Sequence, residues 1–205
     1  MSDQMIYHSF DHYPYAQCLV DMERTVQQII HGALPQQIWF LEHESVYTMG
    51  RSAQESELLS GDLPVYENNR GGRYTYHGPG QLVVYTMIHL KSHGLSVHQY
   101  VRSLEEWVIQ TLQHFGVESF TCPGRVGVWV RHNGGERKIA AIGVHITKGV
   151  SWHGLCLNIH PELSHYQGII PCGIREHGVT SLHDMGICVP RHDVETVLKV
   201  YCPFK

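Results

Sequence analysis

The sequence has no C-x-x-C pair, and no two of its six cysteines, Cys18, Cys122, Cys156, Cys172, Cys188 and Cys202, lie closer than 14 residues. A thiolate-built zinc site would need an unusual layout with such spacing. Thiols spread this widely, in a chain with no export signal, fit the reduced state rather than a disulfide framework. No apolar run approaches the ~20 residues that span a bilayer, and the start, MSDQMIYHSFDHYPY, has no basic region leading into an apolar one. A cytoplasmic protein without membrane association is expected. The dinucleotide fingerprint G-x-G-x-x-G, the phosphate loop G-x-x-x-x-G-K-[ST] and the zinc helix H-E-x-x-H are all missing. Charge is sparse and slightly acidic, 17% of residues with a net of −4, which argues against nucleic-acid binding built on many phosphate contacts.

What remains is enough for a folded core: 205 residues, 42% of them hydrophobic, read as one domain over residues 1–205. Tyr15, Leu19, Met22, Val26 and Ile29 recur at helical spacing, predicting an amphipathic helix from Tyr15 to about Ile30 that serves as core scaffolding. A second helix is expected from an N-cap at Ser96 to Gly116, and a shorter third over Val194 to Tyr201. QIWFLEH, QLVVYTMIHL and VSWHGLCLNI read as strands. Two β-rich runs flank Asn133-Gly134-Gly135, a strong hairpin signal that puts Lys138 near the start of the returning strand. The order of elements suggests an α/β (α+β) fold, a mixed and largely antiparallel sheet flanked by helices.

Three stretches could carry chemistry. RGGRYTYHGPGQ, Arg70 to Gln81, brackets a short strand with glycines, either a kinked strand with a tight turn or a backbone opened for a ligand. Among 17 histidines, His153, His160 and His165 cluster with Cys156, but regular strand alternation would send His153 and Cys156 to opposite faces, so no metal site is expected. Most histidines read as surface or hydrogen-bonded core groups, with His77 and His153 beside glycines where a ligand could approach. Cys18, Cys156 and Cys188 lie in apolar contexts typical of inert buried thiols. In GIIPCGI, Cys172 instead stands between a proline and a glycine in a loop, a setting equally open to a reactive thiol. Between Gly124 and Lys148, Arg125, Arg131, Arg137, Lys138 and Lys148 face the single acid Glu136, which is either a solvated face or a dock for an acidic partner.

Together RGGRYTYHGPGQL, KIAAIG with Lys138, and GLCLNIHPELSHYQGIIPCGI resemble the octanoyltransferase family of lipoate biosynthesis, over roughly Tyr47 to Leu182. The resemblance implies the mixed domain of biotin and lipoate protein ligases. It also implies transfer of an octanoyl group from octanoyl-acyl carrier protein to a lysine on lipoyl domains, those of 2-oxoacid dehydrogenases and of the glycine cleavage H protein. By the same resemblance Cys172 is the acyl-thioester nucleophile and Lys138 the residue that lowers its pKa. The substrate pocket would be lined by Arg70, Gly71, Gly72, Arg73, Tyr74, Thr75, Tyr76, His77, Ala141, Ile142, Gly143, Gly154, Leu155 and Cys156. No cofactor and no metal is implied. Cys156 departs from the pattern, since a small residue such as alanine would be unsurprising there.

The chemistry is feasible with one ammonium. A thiol with pKa ~8.5 is only about 3% thiolate at pH 7, and a cation at ~4 Å supplies about 4 kcal/mol at an effective dielectric near 20. Competing readings are an ATP-dependent lipoate or biotin ligase, which needs no cysteine, a thioesterase using the same pair, and a histidine-rich binding protein without catalysis.

Overall fold

The computed structural model describes residues 5–170 and 177–205. Strands β1 (Ile6–Ser9) and β2 (Gln37–Leu41) are separated by helix α1 (Tyr15–Ile30). Then come β3 (Val46–Met49), β4 (Val65–Glu67), β5 (Tyr74–His77) and β6 (Gln81–Met87), followed by helix α2 (Val97–His114). The chain continues through β7 (Phe120–Cys122), β8 (Arg125–His132), β9 (Gly135–Thr147), β10 (Val150–Asn158) and β11 (Gly178–Val179), and ends with helix α3 (Arg191–Tyr201). The main sheet runs β1-β2-β6-β10-β9-β8-β7, while β4-β3-β5 form a separate small sheet. Pairing in the main sheet is antiparallel except β1 with β2 and β11 with β9. The mixed, largely antiparallel sheet expected from the sequence is therefore what forms.

Local chemistry explains the elements. Pro14 precedes α1, whose buried stripe is Tyr15, Cys18, Met22, Val26 and Ile29, the helical spacing of the sequence. At the start of α2, Ser96 Oγ accepts from Gln99 N–H while Gln99 Oε1 accepts from Ser96 N–H, a reciprocal cap. Helix α3 begins at Arg191, directly after Pro190, one turn earlier than the apolar pattern suggested because its first turn is polar. Between β8 and β9, Asn133 and Gly134 both adopt left-handed backbone (φ 49° and 73°), as a two-residue hairpin turn requires.

The main sheet is covered on both faces. Ile38, Phe40, Val84, Leu104, Trp107 and Leu198 form the core under α2 and α3, while Met22, Val26, Trp39, Val83, Tyr85 and Cys156 form the core under α1. Strand β6 alternates between the two, Leu82 and Val84 to one and Val83, Tyr85 and Met87 to the other, which accounts for its unbroken apolar run. A third cluster, Tyr47, Tyr74, Tyr76, Tyr166 and Ile169, packs under the small sheet.

Strand β9 departs from simple alternation. Val128 pairs with Ala140 but the next residue, Trp129, pairs with Lys138, so Ile139 is left without a partner. This β-bulge lets Ile139 and Ala140 both enter the α2 core while Lys138 and Ala141 both turn to the opposite face.

Candidate active site

A cavity of about 50 Å³ lies on the α1 side of the sheet, between the start of that helix, the loop before β5 and the middle of β6, β9 and β10. Of the sequence-selected residues, Arg70, Gly72, Arg73, Tyr74, Thr75, His77, Ala141, Ile142, Gly143, Gly154, Leu155 and Cys156 line it. Two do not. Tyr76 points into the small-sheet core, where its hydroxyl meets Ser45 Oγ at 3.1 Å. Gly71 instead ties the loop to the main sheet through its N–H and the Val144 carbonyl at 2.9 Å. Tyr15, Val83, Tyr85 and His153 complete the lining. Tyr15 was expected to be scaffolding; as the first residue of α1 it meets the cavity at the helix end.

The loop is held by Arg70. Its Nη2 donates to the Thr48 carbonyl (2.8 Å) and to Thr48 Oγ1 (2.7 Å), and its Nη1 to the Gly71 carbonyl (3.0 Å). A buried guanidinium held by two carbonyls and a hydroxyl locks the small sheet to the loop and carries positive charge to the cavity.

Three histidines are buried here; His77 and His153 line the cavity and His43 lies behind it. His43 Nδ1 donates to the Tyr13 carbonyl (2.6 Å), so its Nε2 accepts from Tyr85 Oη (2.8 Å). Gln81 Nε2 faces three acceptors, the Tyr76 carbonyl, Asn158 Oδ1 and the Tyr166 hydroxyl, which leaves Gln81 Oε1 to accept from His77 Nδ1 at 2.6 Å. His153 adopts left-handed backbone (φ 61°), stacks on Trp152 and meets the Tyr85 ring edge-on. This overturns the expectation from regular alternation: His153 turns to the face that carries Cys156, and both line the cavity. Among the described residues, however, no group of three or more His, Cys, Asp or Glu side chains could hold a metal ion.

Burial pushes His43 down to about 4 and His77 and His153 to about 3; the neighbouring His43 ring and Arg70 act in the same direction on His77, and Arg70 does so on His153. All three are neutral in the folded state. An unfolded chain would protonate them below about pH 6.5, so the unfolded state binds more protons and stability falls as pH drops from 6.5 towards 4. The slope reaches at most ~4 kcal/mol per pH unit for three such groups. Denaturant unfolding at pH 7, 6 and 5 is expected to show this decline. A free energy of unfolding that stays level across that range would contradict the buried neutral assignment.

Lys138 is buried, 6% exposed. Its Nζ donates to the Val126 carbonyl (2.9 Å) and lies 4.8 Å from the centre of the Trp129 ring, a cation–π contact. Gly127 makes room for it. A Cβ there would lie 2.6 Å from the Ala140 carbonyl oxygen and 3.3 Å from Lys138 Cε, and its φ of 120° disfavours any side chain. Cys172 falls within 171–176, outside the described residues. On either side of that segment, Ile170 N–H donates to the Glu57 carbonyl and β11 pairs Val179 with Lys138.

The charge run does not form one patch. Arg125 is bound to Glu136 at 2.5 Å and stacks over Trp129, Arg131 lies over Phe120, Lys138 is buried, and Lys148 stands at the far end of β9 in the turn before β10. The cysteines also divide differently. Cys18 and Cys156 are buried as expected, burial raising the Cys18 pKa, but Cys188 is exposed, 3.6 Å from His183 Nδ1. Among the described residues, no helix is long and apolar enough to cross a membrane.

Residues 14–201 match the family model of the lipoyl protein ligase A/B catalytic domain. An octanoyltransferase of Paramagnetospirillum magneticum is 50% identical over 92% of this chain and 90% of its own length. One of Zymomonas mobilis is 46% identical over 94% and 88%. Among solved structures, a bipartite lipoate protein ligase from Thermoplasma acidophilum superposes with a TM-score of 0.72 at 17% identity, covering 97% of this chain and 82% of that one. The biotin protein ligase of Aquifex aeolicus does so with a TM-score of 0.51 at 11% identity, covering 96% and 66%. These two likenesses are of fold.

Proposed function

Because this chain belongs to the lipoyl protein ligase A/B catalytic-domain family, we propose that it is an acyltransferase moving an octanoyl group from octanoyl-acyl carrier protein to a lysine of lipoyl domains. Those acceptors are the 2-oxoacid dehydrogenase E2 subunits and the glycine cleavage H protein. The observation that carries the chemistry is the buried amine of Lys138, turned by the bulge at Ile139 to the face where Ala141, Gly143 and Cys156 line the cavity. The transferases at 46–50% identity favour this reading over an ATP-dependent ligase, a class whose likeness here is one of fold.

In the proposed mechanism the Cys172 thiolate attacks the donor thioester carbonyl. The carrier thiolate leaves and takes a proton from the Lys138 ammonium, giving an octanoyl-enzyme and a neutral amine. A lipoyl-domain lysine, arriving as the free amine, then attacks this thioester and gives its proton to Lys138, while the Cys172 thiolate departs. The amide is formed and the ion pair restored, so atoms and charge balance without ATP or a metal. Backbone N–H groups of the 70s loop are suited to hold the oxyanion. Intact mass measured after mixing the protein with octanoyl-acyl carrier protein tests this: one octanoyl group should appear on Cys172, be removed quickly by a lipoyl domain and slowly by water. Octanoic acid with ATP should leave the mass unchanged.

Cys156 is assigned a part in selecting chain length. It pairs with Val83 on one side and Ala141 on the other, and all three line the cavity. Each buried methylene is worth about 0.8 kcal/mol, so small changes in wall volume should be read as changes in chain preference. Cys156→Ala is expected to raise kcat/KM for a decanoyl over an octanoyl donor by roughly 3- to 10-fold, and Cys156→Leu to favour hexanoyl. Ratios within twofold of the parent for both variants would remove Cys156 from the acyl wall.

A further inference from the structure

Glu105 lies on α2, on the side of the sheet away from the cavity, and is only 9% exposed. Its Oε1 accepts from the Gly127 N–H at 3.0 Å. The carbonyl of that same peptide unit belongs to Val126, and it accepts from Lys138 Nζ at 2.9 Å. A trans peptide directs its N–H and C=O to opposite sides, so the carboxylate and the ammonium grip the two ends of one amide across the thickness of the sheet. From the lengths of the two hydrogen bonds and the amide between them, the charges stand about 8 Å apart.

We propose that Glu105 is a positioning residue for Lys138, acting through the Val126–Gly127 peptide. The inference rests on Lys138 being the dyad amine. Gly127 leaves this stretch of backbone free to rotate, and Glu105 fixes the peptide plane that aims the Val126 oxygen at Nζ. A carboxylate on the N–H end also polarises the amide towards its oxygen and strengthens the bond to the ammonium. Other ionisable groups near that ammonium are Cys122 on β7, the paired Arg125 and Glu136, and His177 against Trp129; Arg137 precedes it in the chain. Glu105 differs from all of these in reaching the amine through a shared peptide from the opposite layer.

The test follows transfer from preformed octanoyl-enzyme to a lipoyl domain as a function of pH. Glu105→Gln keeps an acceptor for the Gly127 N–H but removes the charge. It is expected to move the rising limb of the pH–rate profile to lower pH by roughly half to one unit and to lower the plateau about 5-fold, with the acceptor KM within about twofold. Glu105→Asp keeps the charge but withdraws it by one methylene, and should hold the limb in place while lowering the plateau. A purely structural carboxylate would give the Gln variant an unmoved limb and an undiminished plateau, and that result overturns the proposal. If Glu105→Ala does not fold, the Gln and Asp variants decide. Lys138→Ala in the same assay separates the two levels: transfer at the parent rate would overturn the dyad reading and this inference with it, whereas its loss beside an unchanged Glu105→Gln profile overturns this inference alone.

Discussion

Replacing Cys172 by serine is expected to abolish capture of the octanoyl group and to lower transfer to a lipoyl domain by at least about 10³-fold. The reason is ionisation. A thiol beside a cation is readily present as its anion at neutral pH, whereas a serine hydroxyl in the same setting stays protonated and is a poor nucleophile without a strong base. A ligase that activates a free acid with ATP has no use for this sulfur, so undiminished transfer by the serine variant would exclude the covalent route. The readouts are intact mass after exposure to octanoyl-acyl carrier protein and the rate of lipoyl-domain octanoylation.

Lys138→Met is expected to lower steady-state transfer by about 10²-fold while leaving the fold in place. Methionine retains most of the stem that packs between Gly127 and Trp129. Loss of the ammonium returns the thiol to about 3% thiolate at pH 7, slowing acyl-enzyme formation roughly 30-fold, and loss of the proton acceptor slows acyl transfer by about 10²-fold, the larger effect setting turnover. The two contributions separate with pH. Raising the pH to 9 should restore acyl-enzyme formation, because the thiol then ionises unaided, but should not restore acyl transfer in proportion. Equal recovery of both half-reactions would show that Lys138 serves only the thiol.

Much of this architecture is legible from residue pattern alone. The stripe of α1, the Ser96 cap and the Asn133-Gly134 turn each need only local chemistry, and all three form where the sequence indicates. Most of the cavity lining follows from the family resemblance; pattern alone marks only the glycine-bracketed stretch from Arg70 to Gln81 and the glycine-flanked His77 and His153. What the pattern hid was any break in alternation. The bulge at Ile139 and the left-handed His153 change which face a side chain occupies, and neither leaves a trace in hydrophobic periodicity. Tyr15 reads as one more core position of a helix, and its second contact depends on how that helix end meets β5 and β6. The basic run misleads for a similar reason: proximity in sequence says nothing of the ion pair that neutralises Arg125 or of the extended stretch of β9, Ile139 to Thr147, that separates Lys138 from Lys148.

Strand β9 bears the amine near one end and, three residues on, the first of the cavity-lining side chains. On the proposed roles, reactivity and acyl selectivity are thereby mounted on a single stiff beam, flanked by neighbouring strands for most of its length. An alteration that bends or twists this beam cannot retune one property and spare the other. Variants evolved for unusual acyl groups should accordingly lose turnover in step with their gain in selectivity, unless the compensating changes arise in the opposite wall.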